Sequence, residues 1–463
     1  MTKIYFYRVP EFWRKEDKYR FLQEKQSVVN IEWQELISDE KHLWLTEGLH
    51  ADFDSFIPMG TKEGKAAKGE QEESIFKLFS LGVATNRDIW VYNFNQQALT
   101  ENVKRTIEVY NEQVFKWSRN QNRDAVIDDF VLYDDAKISW SSTLKRHLEG
   151  TQFSEFTEQN IRPSLYRPFA KKMLYFETIF NDRRGQFPSI FPTTATENEN
   201  RVICCTNHSQ IPFVIQITNC IPSLDVGGRA GQCFPFYTYS EDGSNRQENL
   251  TNWALKHFRS HYQDDTITKW AIFYYIYGLL HHPHYREKYA ANLKRELPRI
   301  PLATDFWAFS KAGERLAELH IHYEKQPEYP LQKIFKPDAR PSYLVEKMRL
   351  SKEKDAIIYN ETLTLRNIPP EVFNYRLGNR SALEWIIDQY QVKIDGHSGP
   401  RDNLEWLNEY QAKTEKGSGI LNDPNRLDDE EYILRLIGQI ITVSLETVRI
   451  VGEIHASTTS LVV

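Results

Sequence analysis

From Arg201 to Thr218 the chain reads RVICCTNHSQIPFVIQIT. Two short apolar runs, Arg201–Thr206 and Pro212–Thr218, lie between Pro, Asn and Gly signals, which is β-rich texture. The same texture, short apolar runs between Pro, Asn and Gly signals, extends from about Lys137 to Tyr239. On either side the apolar period lengthens from two to 3.6. Thr100–Trp117 places Val103, Ile107 and Val114 at helical spacing, and Lys311–Tyr323 sets Ala312, Leu316, Leu319 and Tyr323 on one face. Lys269–Leu297 is rich in helix formers, with Pro283 predicted to break or restart the helix. A β-rich centre packed by helices predicts an α+β fold.

The flanks fill in the outline. Ile4–Val9 alternates like a strand and Lys15–Gln26 reads as helical. Gly60–Glu73 (GTKEGKAAKGEQEE) is an exposed loop by composition, and Asp88–Phe94 (DIWVYNF) reads as a strand. Gln326–Pro341 reads as a linker, followed by a smaller α+β unit with a strand at Ala356–Tyr359. A long apolar helix is predicted at Asp429–Ile450, where Arg435, Glu446 and Arg449 mark it as soluble, and the tail beyond Gly452 is expected to fray.

The 463 residues suffice for two or three packed units, and 13% aromatic content describes a folded chain. The longest strongly apolar run, Ala271–Leu280, is too short to span a bilayer, and the N-terminus carries no secretory pattern. Of the four cysteines, Cys204 and Cys205 are adjacent, and with Cys220 and Cys233 they make no C-x-x-C pair, which fits a reducing cytoplasm. A net charge of −6 argues against a protein that coats nucleic acid through charge alone. A nucleic-acid binder with this composition must gather its basic residues on one face.

Several chemistries lack their residues. There is no G-x-x-x-x-G-K-[ST] phosphate loop. The Asn/Asp-Pro-Pro-aromatic turn with which amino-methyltransferases hold the amine of a flipped base is approached only by Asn367-Ile368-Pro369-Pro370, where Ile368 and Glu371 break the pattern. Pro337-Asp338 is not followed by the acidic-x-Lys triplet of a metal-dependent nuclease. His281, His282 and His284, like His320 and His322, have no further ligands at zinc spacing and read as surface or helix-end histidines. Gly227–Gly231 (GGRAG) reads as a turn, although glycines there would also let backbone amides approach a phosphate.

From Gly82 to Phe94 (GVATNRDIWVYNF) the chain resembles the type ISP restriction-modification enzymes. The likeness continues in order through Tyr166-Arg167-Pro168-Phe169 with Tyr175-Phe176, Phe191-Pro192-Thr193, and Gln232-Cys233-Phe234-Pro235. It extends through Tyr275–Pro301, Phe306-Trp307, Leu316–Tyr323, Ser418-Gly419-Ile420 and Asn422-Asp423-Pro424-Asn425. The number and order of these matches carry the resemblance, since each alone is weak.

Enzymes of that family run from nuclease through a helicase-like ATPase and a coupling segment to an N6-adenine methyltransferase and a target recognition domain. This chain is similar to the last part. The resemblance implies that residues 1–110 are the closing strands and helix of a Rossmann-like methyltransferase domain. Residues 111–330 would be a β-rich recognition region with helices, and 331–463 a C-terminal α+β part. Catalytic motifs would lie upstream, so no cofactor is expected in this chain. S-adenosylmethionine, ATP and Mg belong to the domains it lacks. The implied partners are double-stranded DNA and the methyltransferase and helicase-nuclease domains or chain, with no membrane. The recognition domain would hold one side of a duplex while the methyltransferase flips an adenine. Arg or Lys would read guanine, Asn or Gln would read adenine, and phosphate contacts would set the register. Two other functions stay open: half of a split adenine methyltransferase that needs an upstream chain, and a folded remnant that binds nothing.

The candidate DNA-reading loop is Asn181-Asp182-Arg183-Arg184-Gly185-Gln186, in which Asn181, Arg183, Arg184 and Gln186 offer two guanidiniums and two amides in a turn. Arg229 in the glycine-rich loop comes next, then Asn207, His208 and Gln210 after the RVICCT run. Lys294 and Arg295 are candidate phosphate contacts. Tyr166 and Arg167 are expected to pack and pair inside the fold, and Asn86, Arg87 and Asp88 to support a domain junction.

Overall fold

The computed structural model describes residues 3–9, 15–38, 42, 44, 46–67, 73–122, 124–206, 208–394, 420–426 and 428–457. Asn207, Ser418-Gly419 and the tail from residue 458 lie outside the described residues. The chain divides into two compact units, residues 1–51 and 52–463. In the first, Ile4–Phe6 pairs antiparallel with Gln34–Leu36, and the helix Lys15–Lys25 buries no side chain.

The second unit is α+β, as the sequence pattern predicts, and holds three four-stranded sheets. The first sheet is built on the hairpin Ile161–Arg167 and Ala170–Tyr175, flanked by Tyr92–Asn93 and by Ile221–Pro222. The second runs in the order Ser80–Leu81, Gly231–Pro235, Val202–Thr206, Ile215–Thr218, all antiparallel. The two runs that open the sequence reading are therefore neighbouring strands. Val202–Thr206 is buried at every position, as expected for a strand covered on both faces. The third sheet orders Gln332–Phe335, Leu363–Arg366, Ala356–Ile358 and Arg349–Leu350.

Helices close the core. Lys269–Leu279 and Phe306–Ile321 pack at the closest distance their backbones allow: a Cβ on Gly313 would sit 1.8 Å from the Tyr274 carbonyl oxygen, and one on Gly278 2.4 Å from that of Phe309. Pro283 restarts the chain as the first residue of the helix Pro283–Lys288, where its missing N–H costs nothing. The long helix Tyr432–Ser457 packs against Phe306–Ile321. It is tied to the first sheet through Glu324, which accepts hydrogen bonds from Lys171 Nζ at 2.7 Å and from Tyr432 Oη at 2.8 Å.

Four expectations change. Asp88–Val91 is a turn of helix, and only Tyr92–Asn93 is strand. Asp88 carboxylate oxygens bond the hydroxyls of Thr85 and Tyr166, and these ties override the β preference of the IWVY run. The stretch read as a linker contains the edge strand Gln332–Phe335, whose Gln332, Lys333 and Ile334 side chains are exposed. The terminal helix runs past Gly452, because Ile454 is buried and Arg315 bonds Glu453 at 2.8 Å. Finally, neither expected domain boundary is a break. Residue 110 lies inside the helix Gln96–Ser118, and the strands Ile57–Pro58, Ser80–Leu81 and Tyr92–Asn93 all pair with strands from beyond it. One apolar cluster reaches from Phe53 to Ile454, across residue 330.

His281, His282 and His320 are buried in that core rather than on the surface. His320 bridges Tyr277 Oη at 2.6 Å and Thr447 Oγ1 at 2.8 Å, and its ring lies 5.5 Å from that of His281. All four cysteines are buried thiols. Among the described residues, no cluster of three or more ligands could hold a metal ion, and no helix is long and apolar enough to cross a membrane.

Candidate nucleic-acid interface

Antiparallel strands alternate in direction, so alternate connections leave a sheet from the same edge. In the second sheet Leu81, Gln232, Cys205 and Ile215 form one row across the strands. Beyond that row lie the segment Gly82–Asp88, the loop Asp225–Ala230 and the stretch 208–214. The Asn181–Gln186 turn joins them. Arg183 and Ala84 exchange backbone hydrogen bonds at 2.9 Å in each direction, and Gln186 N donates to Ser80 Oγ at 2.9 Å. Gly185 adopts φ +58°, and a Cβ there would meet Ser80 Oγ at 2.4 Å, so only glycine allows this approach. Three stretches singled out separately in the sequence thus converge on one edge.

Behind the turn stands Arg87, whose five N–H donors are all used. Nε donates to Ser139 O, the Nη1 pair to Thr85 O and Phe180 O, and the Nη2 pair to Ser141 Oγ and Asp182 Oδ1, at 2.6–3.2 Å. Burial lowers the pKa of this guanidinium, and the carboxylate of Asp182 opposes that shift. Asn86, in the left-handed region at φ 54°, donates to Asp182 Oδ2 at 2.6 Å. Asn86, Arg87 and Asp88 are therefore the frame of the turn.

Of the candidate side chains in the turn, Arg183 and Gln186 are exposed, and Arg184 is half-buried with its guanidinium over the Phe176 ring at 5.6 Å. Asn181 is different: its Nδ2 donates to Tyr175 O at 3.1 Å and its Oδ1 accepts from Glu177 N at 3.2 Å, both inside the fold. It shapes the turn and has no free amide to offer. A polar cavity of about 410 Å³ opens beside it, lined by Thr143, His147, Arg184, Gln186 and Glu241 among others.

Gln210 and Arg229 are exposed on the neighbouring loops. Lys294 and Arg295 lie apart from these loops in the chain, at the end of the helix Ala290–Leu293, next to Tyr289 where it packs on Phe53 and Phe56. Tyr166 and Arg167 are half-buried: the phenol donates to Asp88 at 2.9 Å, and the guanidinium lies 4.2 Å from the Tyr166 ring centre and bonds Tyr166 O and Ser223 Oγ.

One part of the edge was missed in the sequence. The hairpin of Arg376-Leu377 and Arg380-Ser381 brings Gly378 against Val214 and Gly227, with Val214 Cγ2 3.3 Å from where a Cβ would stand. Trp385 holds it, donating to Leu377 O at 2.9 Å while its ring touches Gly228 and lies under Arg380. The signal was present: Gly378-Asn379 between arginines is a two-residue hairpin turn. Arg376 and Asn379 are exposed, and Arg380 is half-buried and paired with Asp388 at 3.0 Å.

Loops from distant parts of a chain, gathered on one sheet edge with arginines and amides outward, define a recognition domain rather than an enclosed reaction centre. Residues 74–436 match the family model of the type ISP C-terminal specificity domain, and the chain belongs to that family. Three solved structures are similar. The DrdV–DNA complex shares 35% identity at a TM-score of 0.81, over 98% of this chain and 43% of that one. A nuclease-deletion mutant of the type ISP restriction-modification enzyme LlaGI, in complex with a DNA substrate mimic, shares 31% at 0.79, over 97% and 33%. The ATP-dependent type ISP enzyme LlaBIII bound to DNA shares 29% at 0.77, over 95% and 27%. The chain thus spans less than half the length of each. No curated protein matches it.

Proposed function

We propose that this chain is the DNA target recognition module of a type ISP restriction-modification system. The observation that carries the reading is the convergence of the turn Asn181–Gln186, the stretch 208–214 and the glycine-rich loop on one edge of the second sheet. Arg183, Arg184 and Arg229 on these loops would supply the basic face that an acidic chain needs to bind DNA. The similar structures are DNA complexes, which supports the same reading. Arg183 and Arg184 read guanine edges, Gln186 and Gln210 read adenine, and Arg229 contacts the backbone. Asn181 holds the turn for them. Lys294 and Arg295 serve at most as outlying phosphate contacts. Methyl transfer, ATP hydrolysis and cleavage, with S-adenosylmethionine, ATP and Mg, belong to partner domains, and the system works in the cytoplasm.

The test is selection of bound duplexes from a randomised library by the full chain at low salt, where weak electrostatic binding is retained. Enrichment of a defined motif is the expected result. Recovery of unenriched sequences, or of no duplex, would overturn the reading.

A further inference from the structure

The hairpin of Arg376-Leu377 and Arg380-Ser381 is fixed from several sides. Gly378, the first of its two turn residues, takes φ +68°, the sign that a two-residue hairpin requires there. It is buried, and a Cβ on it would stand 3.3 Å from Val214 Cγ2 and 3.9 Å from Gly227 O. Gly227 leans on the same valine, with Val214 Cβ 3.3 Å from where its own Cβ would be. The hairpin and the glycine-rich loop that carries Arg229 thus share one post. Trp385 is the second anchor: its Nε1 donates to Leu377 O at 2.9 Å, and its ring lies 3.1 Å from where a Cβ on Gly228 would stand. The third is the helix Ala382–Gln389, which starts where the hairpin ends. Ser381 caps it, its Oγ accepting from Glu384 N at 3.2 Å and its N–H donating to Glu384 Oε2 at 2.8 Å.

Two arginines flank the turn and are used differently. Arg380 pairs with Asp388 at 3.0 Å and lies 4.8 Å from the Trp385 ring centre. Arg376 is exposed, and among the described residues its one side-chain hydrogen bond runs from Nη2 to the Asn379 carbonyl oxygen at the tip. That bond orients the guanidinium but takes only one of its five donors, so one edge of the fork keeps both of its N–H groups.

We infer that this hairpin is a further base-reading element of the module, with Arg376 presenting its free edge to a guanine in the major groove. The inference rests on the recognition reading and deepens it, by adding a specificity-determining residue on a separate segment of chain. The major groove admits a two-stranded β-ribbon, and guanine offers O6 and N7 there as adjacent acceptors. A phosphate contact asks only for charge within reach, whereas a bidentate base contact requires a guanidinium held in place. The three anchors and the Asn379 carbonyl supply that hold.

The test uses the full chain and the duplex motif it selects, with Arg376→Ala, Arg376→Lys and Trp385→Phe, each first shown to melt cooperatively. Affinity is measured for the motif and for each of its single-base variants. Arg376→Ala should lose about tenfold to a hundredfold of discrimination at one G·C position and leave the other positions unchanged. That position should differ from any that responds to Arg183→Ala with Arg184→Ala. Arg376→Lys should not restore it, because lysine brings the charge without the fork. Trp385→Phe keeps a ring beside Gly228 but deletes the donor to Leu377 O, and should blur the same position. Unchanged discrimination in Arg376→Ala would overturn the inference. So would a uniform loss across all duplexes with a shallower salt dependence, which marks a phosphate contact. Both outcomes leave the recognition reading intact. Failure of the unaltered chain to select any motif would overturn that reading, and the role of the hairpin with it.

Discussion

Two regions of the second unit each hold an arginine, one enclosed and one half-buried, and the fold treats them oppositely. Behind the Asn181–Gln186 turn, Arg87 has an acceptor for every donor and a carboxylate for its charge. Beneath the hairpin Arg376–Ser381, Arg286 has a single carbonyl. Both guanidiniums are pushed to lower pKa by burial, but only Arg87 has a buried partner that compensates. A saturated charge fastens three stretches of chain into one frame. A half-buried one with a single protein acceptor leaves its other donors to solvent. The difference follows exposure, since Arg87 is 2% exposed and Arg286 is half-buried.

The comparison is most easily broken at Arg87. Replacing it with alanine leaves Asp182 buried without its partner and strands Ser139 O, Thr85 O and Phe180 O, so a loss of about 3–5 kcal/mol is expected, the range for breaking a buried pair. Urea unfolding of the full chain measures it. A loss below about 1 kcal/mol would mean that the hub is not framework, and the contrast with Arg286 would collapse.

Acid supplies the next largest effect and tests the helical core, where Arg286 adds to the burial that disfavours a charge on His281. Burial holds His281 down to about 3 and His282 down to about 4, and holds His320 well below the usual histidine range. In the unfolded chain these rings titrate near 6.5, so below that pH the unfolded state binds more protons than the folded one. Stability present above about pH 6.5 is therefore lost as pH falls toward 3–4, by up to about 1.4 kcal/mol per pH unit for each histidine. Denaturant midpoints between pH 7 and 5 should fall steadily. A flat profile across that window would show that the rings accept protons without leaving the core.

How far the sequence discloses such differences depends on range. The strands Val202–Thr206 and Ile215–Thr218, the helix restart at Pro283 and the amphipathic face at Leu316 are legible because local pattern fixes them. The Asn181–Gln186 turn and its arginines are legible for the same reason: Gly185 and its polar neighbours announce a turn. What is hidden depends on partners far along the chain. Asn181 looks like an available amide until Tyr175 O and Glu177 N claim it. Arg87 looks like a junction residue until Asp182, 95 positions away, closes the pair. Arg286 lies in a stretch quoted for its family likeness, and nothing local distinguishes a guanidinium with one acceptor from one with five. The step from Asp88 to Tyr92 misleads because its β-forming side chains are held in a helical turn by hydroxyls from elsewhere.

The exposed side of the interface sharpens the comparison from the DNA. Arg183→Ala with Arg184→Ala removes two guanidiniums from a turn whose backbone is held by Ala84, Ser80 and Asp182. Folding should change little, because Arg183 is exposed and Arg184 half-buried. Discrimination between the selected motif and single-base variants should fall by about 1–3 kcal/mol at one or two positions, the worth of a bidentate contact to a base. Competition binding with a panel of variant duplexes reads this directly. A uniform loss across all duplexes would reassign these arginines to the phosphate backbone and leave base reading to Gln186, Gln210 or the hairpin.

The smallest expected effect is the stability of Arg286→Gln, and it decides whether the two arginines differ in kind. The substitution gives up one hydrogen bond to Phe213 O, worth about 1–3 kcal/mol. It also removes a charge that burial disfavours and that no carboxylate offsets. The glutamine amide can still donate to the same carbonyl. The terms oppose one another, so the net change should stay within about 1 kcal/mol, against the several kcal/mol expected at Arg87. Parallel urea titrations of the two variants measure the gap. Equal losses would mean that Arg286 holds the fold as Arg87 does. A near-neutral Arg286→Gln would mean that the fold does not depend on this guanidinium as it depends on Arg87.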